Sequence, residues 1–168
     1  MLKKLLLVGL AGLLAACSPR YDWRELDAAE GQVRAAFPAR VQTDSRDLVL
    51  AGRELRFSLT SAQVEGAVFA VGYAPLPEDL QGKPAARELG DALRRSLYAN
   101  FGAEPPAQAP DDGTEIEVHA PPGQRDAWLL ARIWVTSRML IEVVATGSRR
   151  SLSPEHAREF VRSARLRP

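Results

Sequence analysis

Residues 127–146 read AWLLARIWVTSRMLIEVVAT, two apolar runs separated by Thr136-Ser137-Arg138. Each run is strand-length and rich in branched and aromatic side chains, and the polar break is loop-length, so the stretch predicts an antiparallel hairpin. Opposed residues of such a pair share a face, and that parity sets the register. A three-residue loop centred on Ser137 opposes Val135 to Met139, Ile133 to Ile141 and Arg132 to Glu142. Ile133, Val135, Met139, Ile141 and Val143 then share one face, and Trp128, Leu130, Arg132, Trp134, Leu140, Glu142 and Val144 the other. Both faces are mostly apolar, so both are expected to be covered, with Arg132 and Glu142 joined as an ion pair.

The flanking sequence supplies the covers. Leu55, Phe57 and Leu59 alternate with polar residues, and Ala67, Phe69, Val71 and Tyr73 line one side of a further strand that stops at Pro75 and Pro77. Shorter strands are read at 21–24, 32–37 and 116–118. From Pro84, the residues Ala86, Leu89, Leu93, Leu97 and Phe101 recur at three- and four-residue steps until Gly102, which predicts an amphipathic helix. Gly90 weakens that helix by about 1 kcal/mol relative to Ala unless close packing on the sheet excludes a side chain. Ser153-Pro154-Glu155 opens a second helix, with Ala157, Phe160, Val161 and Ala164 as its buried stripe. The expected class is α+β, an antiparallel sheet with helices on both faces, an α/β/α sandwich.

The chain has 168 residues, 46% of them hydrophobic, with 22 Lys+Arg against 21 Asp+Glu. That balance excludes a polytopic membrane protein, a disordered chain and a dedicated nucleic-acid binder. One Cys and two His exclude a structural zinc site or an internal disulfide framework. Lys3 and Lys4 precede the apolar run 5–14, too short to span a bilayer and followed by small residues, as in a signal peptide. Leu14-Ala15-Ala16-Cys17 resembles the lipobox of bacterial lipoproteins. The resemblance implies cleavage before Cys17, a diacylglyceryl group on its sulfur and an acyl chain such as palmitate on its new amine. The expected organisation is a signal peptide over 1–16, the lipidated Cys17 and a short tether over 17–20, and one domain over 21–168. The tether spans roughly 10 to 14 Å at about 3.4 Å per residue, which keeps the domain near the headgroups. Ser18, where a sorting Asp would stand, resembles the signature of outer-membrane lipoproteins facing the periplasm, with the inner membrane as the alternative.

The mature domain also resembles the Mog1/PsbP-like domains, including the DcrB-type bacterial lipoproteins. The resemblance rests on the Phe37-Pro38 entry to the sheet and on Phe160, Ser163 and Leu166 near the end of the chain. A second likeness, to uncharacterised Gram-negative lipoproteins, rests on Asp22-Trp23-Arg24. Neither implies an activity.

There is no G-x-S-x-G motif, no free thiol once Cys17 is acylated, and no glycine loop for phosphate. Glu117 and His119 share a strand face, yet a metal needs a third ligand that the pattern does not place, so they read as a solvated face. Asp111-Asp112-Gly113 reads as a turn. The chain is therefore expected to be no enzyme and to need no cofactor or metal. Charge is nevertheless polarised, net minus five over 104–126 and net plus four over 149–168. On the last helix Arg158, Arg162 and Arg165 follow i, i+4, i+7 as an anion-binding face for lipid phosphates or an acidic partner. Trp128 and Trp134, with Phe69 and Tyr73, form the second candidate surface. They would meet an envelope protein partner or, if the domain is a carrier, wall a small apolar or lipidic ligand between sheet and helix. The expected function is a membrane-anchored, non-catalytic interaction or accessory module, with no nucleic-acid partner.

Overall fold

The computed structural model describes residues 20–124 and 126–168. The signal segment and Cys17 lie outside the described residues. In chain order the elements are β1 (Arg24–Ala28), β2 (Val33–Phe37), β3 (Val41–Leu50), β4 (Arg53–Val64) and β5 (Ala67–Pro75). A single 3-10 turn at Pro84–Ala86 leads into α1 (Arg87–Asn100). Then come β6 (Ile116–His119), β7 (Trp128–Val135), β8 (Met139–Gly147), α2 (Pro154–Ser163) and β9 (Arg165–Leu166). Every strand pair is antiparallel. Two sheets form where the pattern suggested one: a six-stranded sheet ordered β3-β4-β5-β8-β7-β6 and a three-stranded sheet ordered β1-β2-β9. The class is mixed α+β, with far more strand than helix.

Alternate residues of the central strands feed two separate apolar clusters. Phe69, Val71, Leu130, Ile141 and Val143 join Phe37 of β2 and Phe160 of α2 in the first. Leu129, Ile133 and Leu140 join Phe57 of β4 and Leu89, Leu93 and Leu97 of α1 in the second. The Phe37 and Phe160 rings meet at 5.3 Å. The Ser163 hydroxyl accepts from the Ala36 amide at 2.9 Å and donates to the Phe160 carbonyl at 2.7 Å, tying the end of α2 to the small sheet. Gly90 is required by packing, because a Cβ there would lie 2.5 Å from Val135 Cγ2.

The β7–β8 hairpin departs from the expected register by one residue. Val135 opposes Leu140, Trp134 opposes Ile141 and Ile133 opposes Glu142. The cause is Thr136. Its hydroxyl accepts from the amides of Arg138 and Met139 at 3.3 and 2.9 Å, and its amide donates to the Met139 carbonyl at 2.8 Å. The side chain thus fixes a turn in which Thr136, not Val135, faces Met139, and the odd shift exchanges the faces of one strand relative to the other. Arg132 and Glu142 therefore fall on opposite faces and form no pair. Glu142 is only 7% exposed. No hydrogen bond or ion pair holds it among the described residues, and burial pushes its carboxyl up to about 7, against the pull of Arg46.

Candidate functional site

The apolar stripe of α1 contains one charge. Arg94 falls four residues after Gly90 and between Leu93 and Leu97, so helical spacing turns it inward, and its side chain is 6% exposed. Nη1 donates to Asp91 Oδ1 at 3.0 Å, one turn back, and Nη2 pairs with Asp112 of the loop before β6. The other oxygen of Asp112 accepts the Val135 amide at 3.2 Å. One carboxylate therefore pins the proline-rich loop to both the helix and the sheet. Nε of Arg94 is buried with no partner among the described residues.

Above this junction the loop and α1 stand apart as a groove. It consists of two adjoining clefts of about 420 and 340 Å³ that share Asp91, Arg94 and Pro110. Arg87 and Asp111 line the first cleft, and Arg95, Tyr98, Pro105 and Pro106 the second. Arg94 is neutralised by its two carboxylates, but Arg87, Arg95 and Asp111 carry no ion pair among the described residues. The groove thus offers unsatisfied charge of both signs beside a phenol and rigid prolines. That lining suits a polar, extended chain.

A second concave region lies at the opposite end of β7. His119 opposes Trp128 across the β6–β7 pair and stacks on its indole, with centroids 5.7 Å apart. Glu117 Oε1 lies 2.7 Å from His119 Nε2, and Trp128 Nε1 donates to the Leu152 carbonyl at 3.2 Å. Arg149 faces Asp126 at 3.6 Å. Among the described residues no group of three His, Cys, Asp or Glu meets in a geometry that could hold a metal.

The residues singled out from sequence fall into two groups. Phe69, Tyr73, Trp128 and Trp134 all border the first cluster. Phe69 and Trp128 are 0% and 3% exposed. Phe69 packs edge-on against Tyr21, Trp23 and Phe160 at 6.1, 6.0 and 5.5 Å, so protein rings occupy the space a ligand would need. Tyr73 and Trp134 are half-buried. The Tyr73 hydroxyl donates to Glu30, and the Arg132 guanidinium lies 4.9 Å over the Trp134 ring.

The arginine face is broken by the end of α2. Ala164 is already extended, which puts Arg165 in β9 and off the helix that bears Arg158 and Arg162. Arg162 is engaged bidentately by Glu115 at 2.7 and 3.2 Å and holds that carboxyl below its usual range, with Arg132 and Arg158 adding to the effect. No described helix is long and apolar enough to cross a membrane.

Sequence reasoning missed Arg94 and Glu142. For Arg94 a signal was present: a charge at a stripe position, with an acid three residues before it. No family model, curated protein or solved structure matches this chain.

Proposed function

We propose that this chain is a lipid-anchored lipoprotein of the bacterial envelope, on the periplasmic leaflet of the outer membrane, whose domain is a non-catalytic interaction or accessory module. The architecture this reading assumes is an α/β/α sandwich of the Mog1/PsbP-like kind, with α1 and α2 on opposite faces of the large sheet. The observation that carries the proposal is the short distance from Leu14-Ala15-Ala16-Cys17 to the first packed residues. Arg20 pairs with Glu65 at 3.3 Å, and Tyr21 stacks on His156 with centroids 3.8 Å apart. An acylated Cys17 would therefore hold the domain directly against the bilayer, and its multiple acyl chains would make the attachment permanent in practice.

The groove is the surface that favours an interaction role. Tyr21 and Trp23 pack on the first cluster, whereas α1 packs on the second, so in this reading a tether leaving Tyr21 and the groove would lie on opposite sides of the sheet. They also lie at opposite ends of β7, whose eight residues span about 23 Å at about 3.3 Å per step. A domain tied down at Tyr21 would present Arg87, Arg95 and Tyr98 to the periplasm. The carrier alternative finds little support, because its wall residues Phe69 and Trp128 are filled against protein rings.

The test is mass spectrometry of the N-terminal peptide from membrane fractions, with native mass spectrometry of the same preparation. The expected result is a chain beginning at Cys17 with the diacylglyceryl and amide-linked acyl groups and no further lipid. An unmodified Cys17 overturns the anchor, and a stoichiometric co-purifying lipid beyond the anchor favours the carrier.

A further inference from the structure

β3 borders the six-stranded sheet, and among the described residues no strand lies on its outer edge. Its pairing with β4 runs without a bulge through ten consecutive pairs, from Val41 opposite Ala62 to Leu50 opposite Arg53. Neither proline nor lysine interrupts it. Bulges, prolines and lysines are among the devices that keep an edge from pairing, and this edge lacks all three, carrying only the charges of Asp44, Arg46 and Asp47. Gln42 to Asp47 are exposed on both faces, and Val49, at 71%, is the most exposed large hydrophobic residue among those described. Several of its neighbours are matched inside the chain: Thr43 with Thr60 at 3.2 Å, Ser45 with Ser58 at 2.8 Å and Asp47 with Arg56 at 3.2 Å. Asp44 has no such match, and Arg46 has no hydrogen bond or ion pair among the described residues, only its electrostatic pull on Glu142.

We propose that β3 is the docking strand for a second copy of this chain, with β3 pairing antiparallel to its own counterpart about a two-fold axis at Ser45. Symmetry restricts the register. A two-fold that continues the sheet runs perpendicular to it, so opposed residues share a face and their numbers have equal parity. Centring on Ser45 opposes Asp44 to Arg46 twice and Val41 to Val49 twice. Both charges thereby gain a directly opposed partner, and the exposed valine is covered. Centring on Asp44 or on Arg46 instead sets two like charges face to face, which is destabilising across a strand pair. The same axis keeps both copies of the Phe69 cluster on one side of the joined sheet, so both Tyr21 segments leave toward the same surface. Two anchors in one bilayer need that arrangement, although the pairing itself does not depend on lipidation.

The full-length protein, extracted from membranes in detergent, is the sample. Opposed Cα atoms of an antiparallel pair lie about 4.5 to 5.5 Å apart, within disulfide range. Ser45→Cys is expected to give an oxidised dimer whose linked peptide joins position 45 to position 45. Val41→Cys and Val49→Cys should link to each other when carried on separate copies, and neither to itself. In sedimentation, D44R alone or R46D alone should weaken association about tenfold or more, since each repulsion occurs twice, and the D44R/R46D double reversal should restore it to within about threefold. Except for the partly buried Val41, these positions are exposed, and circular dichroism checks that each variant is folded. A chain that stays monomeric at every concentration overturns the proposal. A dimer indifferent to both charge reversals, or one linked through other positions, does the same.

Discussion

Replacing Glu142 by Gln should remove a pH dependence that the native fold carries in its central strand. The carboxyl ordinarily titrates near 4.5, and burial on β8 lifts it to about 7 in the folded chain. Between those values the native state binds a proton that the unfolded state has released, so stability falls as pH rises through the window. Below 4.5 both states are protonated and the full stability is present. Above 7 both are ionised and the loss is complete. The separation of the two values, at about 1.4 kcal/mol per unit, sets the loss at about 3 kcal/mol. A neutral amide of the same shape has no such transition. Urea unfolding followed by tryptophan fluorescence at a series of pH values should show wild type weakening across the window while Glu142→Gln stays flat. Above 7 the variant should be the more stable protein by about 3 kcal/mol. A difference between the two proteins that does not change with pH would refute the assignment of Glu142 as a buried, unpaired acid.

Two other substitutions probe the packing. Asp112→Ala leaves the buried Arg94 with Asp91 alone and frees the Val135 amide; it should destabilise by about 2 to 3 kcal/mol, below the usual cost of breaking a buried pair because the carboxylates are partly solvated. Arg94→Met, which leaves only those half-exposed acids unpaired, should destabilise less, and the reverse order in urea midpoints would show that Arg94 is not the desolvated partner. Gly90→Ala should lower the thermal midpoint although Ala is the better helix former by about 1 kcal/mol, because the methyl meets Val135 Cγ2 at 2.5 Å. Adding Val135→Ala should recover part of that loss, and a stabilised single variant would contradict the contact.

What could be read from sequence was whatever followed a single period. The alternation over Leu55, Phe57 and Leu59 and over Phe69, Val71 and Tyr73 is that of β4 and β5, and the steps from Leu89 to Leu97 are those of α1. The conditional reading of Gly90 as a close-packing glycine also matches the structure. The β7–β8 register differs from the periodic reading because a side-chain hydroxyl, Thr136, sets the turn, and periodicity is blind to hydrogen bonds made by a turn residue. Both faces of β7 and β8 are apolar, so a shift of one residue exposes no obvious mismatch except the misplaced Glu142. The second sheet was hidden for another reason: β1 and β9 bury little of their own surface, and β9 is two residues long. The groove was legible only in part. Asp112 reads as a turn residue, and its partner is far away in the chain.

The two apolar clusters do not make two independently melting halves. Leu140 belongs to one and Ile141 to the other, and Val143 and Ala145 continue the alternation along β8. A strand that serves both cannot leave one without withdrawing side chains from its neighbour. Cooperativity is therefore a property of β8 more than of either helix. Loosening α1 would be felt at Phe160, in the other cluster, through the backbone of a single strand.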